Sequence, residues 1–248
     1  MYDITVIGAA ILDVLTYPVS TQDLNVPSFP AEGISMAVGG DAANEAVALS
    51  RLGKKVNLIT KLGNDMAGHI LLSHFQKNGV STEDSVLEEG LDTGINVVLV
   101  DQEAERSFIT NKNGSLRKLA LCDISEQALD KSPVVSFASI FVSPLMDVPA
   151  MTSLFHSVKE KGKILCADMT RCKNGETLTD IAPLLPSIDF LFPNYQEAKA
   201  VTGKETPEEM ADAFLACGLS CLVLKLGSQG CFLKSSQISA FVPAYPNT

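Results

Sequence analysis

Short apolar runs alternate with stretches whose apolar residues recur at helical spacing, from Ile4 almost to Leu226, and that rhythm leaves few folds open. Strand-like runs occupy Val56–Leu62, Val134–Val142, Lys163–Asp168, Asp189–Phe192 and Cys221–Leu226, and a first, mostly apolar run spans Asp3–Leu15. Helical patterns fall at Ala42–Leu52, Ala67–Asn78, Val148–Lys161, Glu176–Leu185, Gln196–Thr202 and Pro207–Cys217. The first two close on Gly53 and Gly79, where glycine suits the residue after a helix. Parallel neighbours need a long connection, usually helical, so a repeated strand–helix order implies parallel strands. The expected fold class is α/β, with three layers and a mostly parallel central sheet flanked by helices. Asp3–Leu15 reads as a strand buried on both faces, with Asp13 at its C-terminal end.

Two segments break the rhythm. Pro18–Val38 is rich in turn residues, and Gly94–Thr110 reads as a strand pair around Asp101-Gln102-Glu103. They suggest a small second β-sheet, a lid over about 18–38 and 94–110, on a single domain spanning 1–248.

With 46% hydrophobic residues in 248, the chain can build one large core. Its formal charge of −10, from 19 Lys+Arg against 29 Asp+Glu, argues against nucleic acid as a partner. No run approaches the roughly 20 apolar residues that span a bilayer, and Met1-Tyr2-Asp3-Ile4 lacks the basic start of a secretory signal. The six cysteines form no CxxC pair, so reduced thiols in a cytoplasmic protein are expected. His69, His74 and His156 lie in helical patterns without metal spacing. Neither a Walker-type loop nor a dinucleotide GxGxxG follows the first strand, which counts against a nucleotide-dependent oxidoreductase.

The most informative stretch is Gly39-Gly40-Asp41-Ala42-Ala43-Asn44-Glu45-Ala46, followed by Gly53 and Gly63. Paired glycines before a helix let a ligand approach the backbone, and the helix start offers free N–H groups. Asn44, one turn in, carries both a donor and an acceptor, which suits a polyol. Locally, a plain glycine turn ahead of a core helix accounts for the same residues equally well.

Over its full spacing this stretch resembles the first signature of the ribokinase-like (PfkB) carbohydrate kinase family. Other landmarks follow in the family's order: Gly8-Ala9-Ala10-Ile11-Leu12-Asp13, Ser28-Phe29-Pro30-Ala31-Glu32-Gly33, Gly63-Asn64-Asp65-Met66-Ala67-Gly68 and Thr93-Gly94. Pro193-Asn194-Tyr195-Gln196-Glu197 resembles an NxxE motif, and Lys225-Leu226-Gly227-Ser228-Gln229-Gly230 a nucleotide loop. The resemblance implies a transferase that moves the γ-phosphoryl of MgATP onto a hydroxyl of a carbohydrate or sugar acid. It places Asp13, Gly39, Gly40, Asn44 and Asn111 on the acceptor, and Asn194, Lys225, Gly227, Ser228 and Gly230 on the nucleotide. Glu197 holds Mg2+ through water in this reading; a monovalent cation is admitted, and a homodimer forms through the lid. Asn194 and Glu197, three apart, equally fit a helix-capping pair.

The family's second signature, D-T-x-G-A-G-D, supplies the catalytic base and an anion hole, and neither precedes Thr248. The base is therefore expected beyond Thr248, and residues 1–248 alone are expected to be inactive. The competing reading is a non-catalytic sugar- or nucleotide-binding protein on the same fold. Ile11 and Val142 replace polar contacts of ribokinase-like relatives and argue against ribose itself. Arg106, Asn111 and Arg171 are available for a phosphate or carboxylate on the acceptor.

Overall fold

The computed structural model describes residues 1–245 except 22, 26 and 29, and of residue 24 the backbone alone. The chain begins with β1 (Ile4–Ile7), β2 (Ile11–Tyr17) and β3 (Gly33–Gly39), then enters α1 (Asp41–Arg51). β4 (Val56–Ile59), β5 (Lys61–Gly63), α2 (Met66–Lys77), β6 (Val80–Ser81) and β7 (Val86–Glu88) follow. The hairpin of β8 (Ile95–Val100) and β9 (Arg106–Thr110) precedes α3 (Glu126–Asp130). Next come β10 (Val134–Ile140), α4 (Val148–Glu160), β11 (Ile164–Met169), α5 (Leu178–Ile181) and β12 (Phe190–Leu191). The last elements are α6 (Tyr195–Thr202), α7 (Pro207–Ala216), β13 (Cys221–Lys225), β14 (Cys231–Ser235) and β15 (Ser239–Val242).

The central sheet runs β15-β14-β13-β12-β11-β10-β1-β4-β6. Every neighbouring pair from β13 to β6 is parallel, and β14 and β15 add an antiparallel edge. The expected α/β class, with a mostly parallel sheet and a small additional one, is therefore the fold observed. Two apolar clusters cover the sheet's faces. Ile7, Phe137, Leu165 and Leu191 join Phe155 of α4, Val201 of α6 and Phe214 of α7. On the opposite face Val6, Leu58 and Ala138 join Ala42 and Ala46 of α1 and Leu71 and Phe75 of α2. Phe75, Phe155 and Phe214 are fully buried, and truncating such a ring to Ala costs about 3–5 kcal/mol.

The α1–α2 layer stops at β10. Ser136 and Ala138 are buried beneath it, but the Ser136 row continues through Cys166 of β11 and Phe190 of β12 toward solvent. Ile164 and Phe190 on this face are 45% and 38% exposed.

The apolar run Asp3–Leu15 proves to be two strands in two sheets. β1 stays in the centre, while β2 pairs with β3 and β8, and β9 completes a separate four-stranded sheet. The switch occurs at Gly8-Ala9-Ala10, small residues that pass close over α1 and β10; Ala10, Ala42 and Ala138 share one buried cluster. Asp13 thus stands on the small sheet rather than at the end of a central strand. Within Pro18–Val38 the strand is confined to Gly33–Gly39, with a tight turn at Asp23–Asn25. Phe29, part of the proposed lid segment, lies outside the described residues, as does Thr248.

The helix expected over Glu176–Leu185 shrinks to Leu178–Ile181, because Pro183 has no N–H to continue it, and a 3-10 turn follows at Leu185–Ser187. At the end of α4, Lys159 and the following Lys161 are tied to Asp189 at 2.7 Å and Asp130 at 2.9 Å.

Candidate active site

The acceptor half is built where the small sheet meets α1. Asp13 of β2 lies opposite Asn96 of β8, which lies opposite Thr110 of β9, so all three side chains share one face. Asn96 Nδ2 donates to Asp13 Oδ1 at 3.0 Å, and Thr110 Oγ1 donates to Asn96 Oδ1 at 2.6 Å. Burial pushes the Asp13 carboxyl above its usual range, while the Asn96 bond and the charge of Arg106 on β9 pull it back. The other carboxylate oxygen abuts Gly39, where any Cβ would collide with it. Gly40 caps α1 at φ 93°, a conformation that favours glycine, and a Cβ there would sit 2.5 Å from Ala9 O. No side chain caps this helix start, and Asn44 is exposed one turn along.

Of the five residues expected on the acceptor, Asp13, Gly39, Gly40 and Asn44 are thus gathered around one helix start. Asn111 is committed elsewhere. Its Oδ1 accepts from Ile95 N at 2.8 Å and its Nδ2 donates to Thr93 O at 2.9 Å, which fixes the start of β8. Arg171 lies exposed after β11, and Ile11 is buried.

From α1 a trough of about 530 Å³ runs across the face of the sheet, over Ile4 of β1, Ser136 and Ala138 of β10 and Cys166 of β11, to Asp168 and Lys225 near the ends of β11 and β13. Asp41, Asn44 and Glu45 of α1 form one wall; Ser136, Cys166, Asp168, Phe192 and Lys225 contribute to the remainder. The register of β10 shifts between Phe137 and Ile140, and Ser139 and Phe141 take φ of 73° and 78°. Such non-glycine conformations cost about 1–3 kcal/mol each and concentrate at functional sites. Here the shift brings Ser139 Oγ to donate to Asp41.

Glu45 is the most confined carboxyl of the trough. Burial raises it above its usual range; a Ser136 hydrogen bond opposes the rise, and Asp168 and Asp41 add to it. Asp168 is likewise raised by burial, held back mainly by Lys225, whose Nζ donates to Asp168 Oδ2 at 2.6 Å. Burial also pushes the Cys166 thiol up to about 11, which makes it an inert packing group at neutral pH.

Lys225 also lines a second groove, with Asn194, Tyr195, Gln196, Gly227, Ser228 and Gln229. The nucleotide-loop residues are therefore contiguous. Gly227, Ser228 and Gln229 form a 3-10 turn between β13 and β14. Gly230 follows at φ 102°, so close to Val242 O that a Cβ has no room. Asn194 caps α6 through a reciprocal pair: Asn194 Oδ1 accepts from Glu197 N at 2.9 Å, and Glu197 Oε2 accepts from Asn194 N at 2.8 Å. Burial raises the Glu197 carboxyl, and the Asn194 N–H bond and then Lys225 counteract it.

Sequence reasoning missed Asp168, Glu45 and Ser139 as members of this site. Asp41 and Glu45 lay inside the glycine signature, and Asp168 closed the apolar run Ile164-Leu165-Cys166-Ala167; only these faint signals were available.

The family model described as pfkB family carbohydrate kinase matches residues 1–248. A bifunctional ribokinase/ribose-5-phosphate isomerase A of Fructilactobacillus sanfranciscensis is 26% identical over 90% of this chain and 42% of that protein. A 5-dehydro-2-deoxygluconokinase of Clostridium perfringens is also 26% identical, over 92% of this chain and 70% of its own length. The chain thus spans under half of the first relative and about 70% of the second. Among solved structures, a ribokinase II candidate from E. coli in complex with ATP and Mg2+ superposes with a TM-score of 0.83 at 23% identity. That match covers 100% of this chain and 80% of the other, and at this identity it speaks for the fold.

Proposed function

Because the chain belongs to the pfkB family of carbohydrate kinases, we propose that it carries the acceptor and nucleotide sites of an ATP-dependent sugar kinase. The observation that carries this reading is the continuity of the trough: Asn44 stands at its acceptor end and Lys225 at its junction with the nucleotide groove. Asp13, oriented by Asn96, accepts hydrogen bonds from sugar hydroxyls. Gly39 and Gly40 let the sugar lie against the backbone at the start of α1, and Asn44 completes its contacts. Asn194, Gly227, Ser228 and Gln229 line the groove for ATP, and Gly230 closes the turn behind them.

Transfer joins an acceptor hydroxyl oxygen to the γ-phosphorus as the bond to the ADP oxygen breaks, and the hydroxyl proton leaves to a base. None of the described residues is assigned as that base. Mg2+ fits beside Glu197, whose carboxyl feels the negative charges of Asp168 and Asp41. Among the described residues no three His, Cys, Asp or Glu side chains are grouped to hold a metal ion. A bound Mg2+ would neutralise charge on the phosphates.

The four-stranded sheet of β2, β3, β8 and β9 serves as the lid in this reading, and a homodimer would form across it. Ile34 and Met36 of β3 and Phe108 and Ile109 of β9 are exposed there, between 52% and 70%. A cytoplasmic location belongs to the same proposal; no helix among the described residues is long and apolar enough to cross a membrane. ADP release measured against a panel of sugars and sugar acids, in potassium and in sodium buffers, tests activity, acceptor and monovalent-cation dependence together. Nucleotide binding without turnover for any acceptor, by a protein that also carries the D-T-x-G-A-G-D signature, would favour the non-catalytic alternative.

A further inference from the structure

We infer that Asp168 is a positioning residue that aims the Lys225 ammonium into the trough, where a phosphoryl group passes from nucleotide to acceptor. The inference rests on the kinase reading above and assigns Asp168 a role within it. Lys225 is the residue shared by the nucleotide groove and the trough. Its backbone is fixed: Lys225 N donates to Pro193 O at 2.8 Å, and a parallel bridge links it to Asn194. Its side chain, 44% exposed, has four rotatable bonds and would otherwise spread through solvent.

Asp168 removes that freedom. Its Oδ1 accepts from Met169 N at 2.7 Å, which fixes the carboxylate on its own strand, and its Oδ2 takes the ammonium at 2.6 Å. Glu45 and Glu197 influence Lys225 through charge, but Asp168 makes the short contact. The pair joins β11 to β13 across β12, at the strand ends where open α/β sheets bind ligands.

Two simpler roles make different predictions. A partly exposed ion pair contributes little to stability, so a merely structural pair should leave nucleotide affinity unchanged when broken. A carboxylate that only competes with phosphate for the ammonium should, once neutralised, let the triphosphate bind more tightly. Only a positioning role makes loss of this negative charge weaken triphosphate binding, and only while Lys225 is present.

The test is calorimetric titration of MgATP and MgADP into the whole chain, unaltered and as Asp168→Asn, Asp168→Glu, Lys225→Met and the Asp168→Asn/Lys225→Met double variant. Asp168→Asn is expected to weaken MgATP roughly three- to tenfold and MgADP by less than about twofold, since the γ-phosphoryl is the group at stake. Asp168→Glu should restore most of the affinity, and Asp168→Asn should change nothing on the Lys225→Met background. Thermal melts of each variant separate binding losses from unfolding. Tighter MgATP binding by Asp168→Asn, no change, or an equal loss without Lys225 would overturn the inference while leaving the nucleotide site in place. If the unaltered chain bound neither nucleotide, the kinase reading would fail and the inference with it.

Discussion

Asn96 holds Asp13 from the neighbouring strand, its Nδ2 donating to Asp13 Oδ1 at 3.0 Å while Thr110 secures its own carbonyl at 2.6 Å. The relay orients a partly buried carboxylate and leaves its second oxygen beside Gly39. Asp13→Asn replaces a charged acceptor of two oxygens with a neutral amide that keeps only one acceptor oxygen. Hydrogen bonds to charged groups are worth about 1.5–3 kcal/mol, so acceptor affinity should fall roughly ten- to a hundredfold. Calorimetry with the best phosphoryl acceptor checks this, and unchanged affinity would make Asp13 a structural residue.

Gly39→Ala probes the same carboxylate from the other side. Its methyl would occupy the space of the Asp13 oxygen and lie 3.2 Å from Ile11 Cγ1. Asp13 must then rotate away from Asn96. Sugar affinity should drop by roughly tenfold or more, on the scale of one charged hydrogen bond, with MgATP affinity unaltered. Equal losses of both ligands would mean that the substitution distorts the site as a whole.

Glu45 gives a prediction with a defined pH sense. Its carboxyl is raised above the ordinary value by burial, so the folded chain binds this proton more readily than the unfolded chain. The ionised group therefore costs stability at neutral pH, and the cost disappears as pH falls below the unfolded value. Glu45→Gln keeps an acceptor for Ser136 and removes the charge. Its melting temperature should exceed that of the unaltered chain at neutral pH, with the gain shrinking toward zero in acid. A gain of equal size at both pH values would show that packing, not ionisation, is responsible.

The helices and parallel strands were legible because their apolar periods are local, and the signature around Gly39, Gly40 and Asn44 was legible because it is continuous in sequence. The division of Asp3–Leu15 was not, since Ile4–Ile7 and Ile11–Tyr17 are both apolar and only their partners assign them to different sheets. Asn111 looked available for a ligand because its amide bonds to Ile95 and Thr93 are made 16 and 18 residues away. The trough was the least visible feature. Asp41, Ser139, Asp168 and Lys225 come from four separate elements, and a displaced register in β10 completes their meeting.

The same topology yields a prediction about the uncovered face of the sheet. Parallel sheets ordinarily bury both faces, yet Ile164 and Phe190 remain 45% and 38% exposed where the α1–α2 layer ends. If this face is open in solution, Phe190→Ser should cost less than about 1.5 kcal/mol, whereas Phe155→Ala, in the filled opposite layer, should cost about 3–5 kcal/mol. Urea denaturation of the two variants measures both, and binding of a hydrophobic dye should fall for Phe190→Ser. Exposed apolar rows promote association, so that variant should also remain monodisperse at higher concentration. A loss at Phe190 as large as that at Phe155 would instead show that another surface already covers this row.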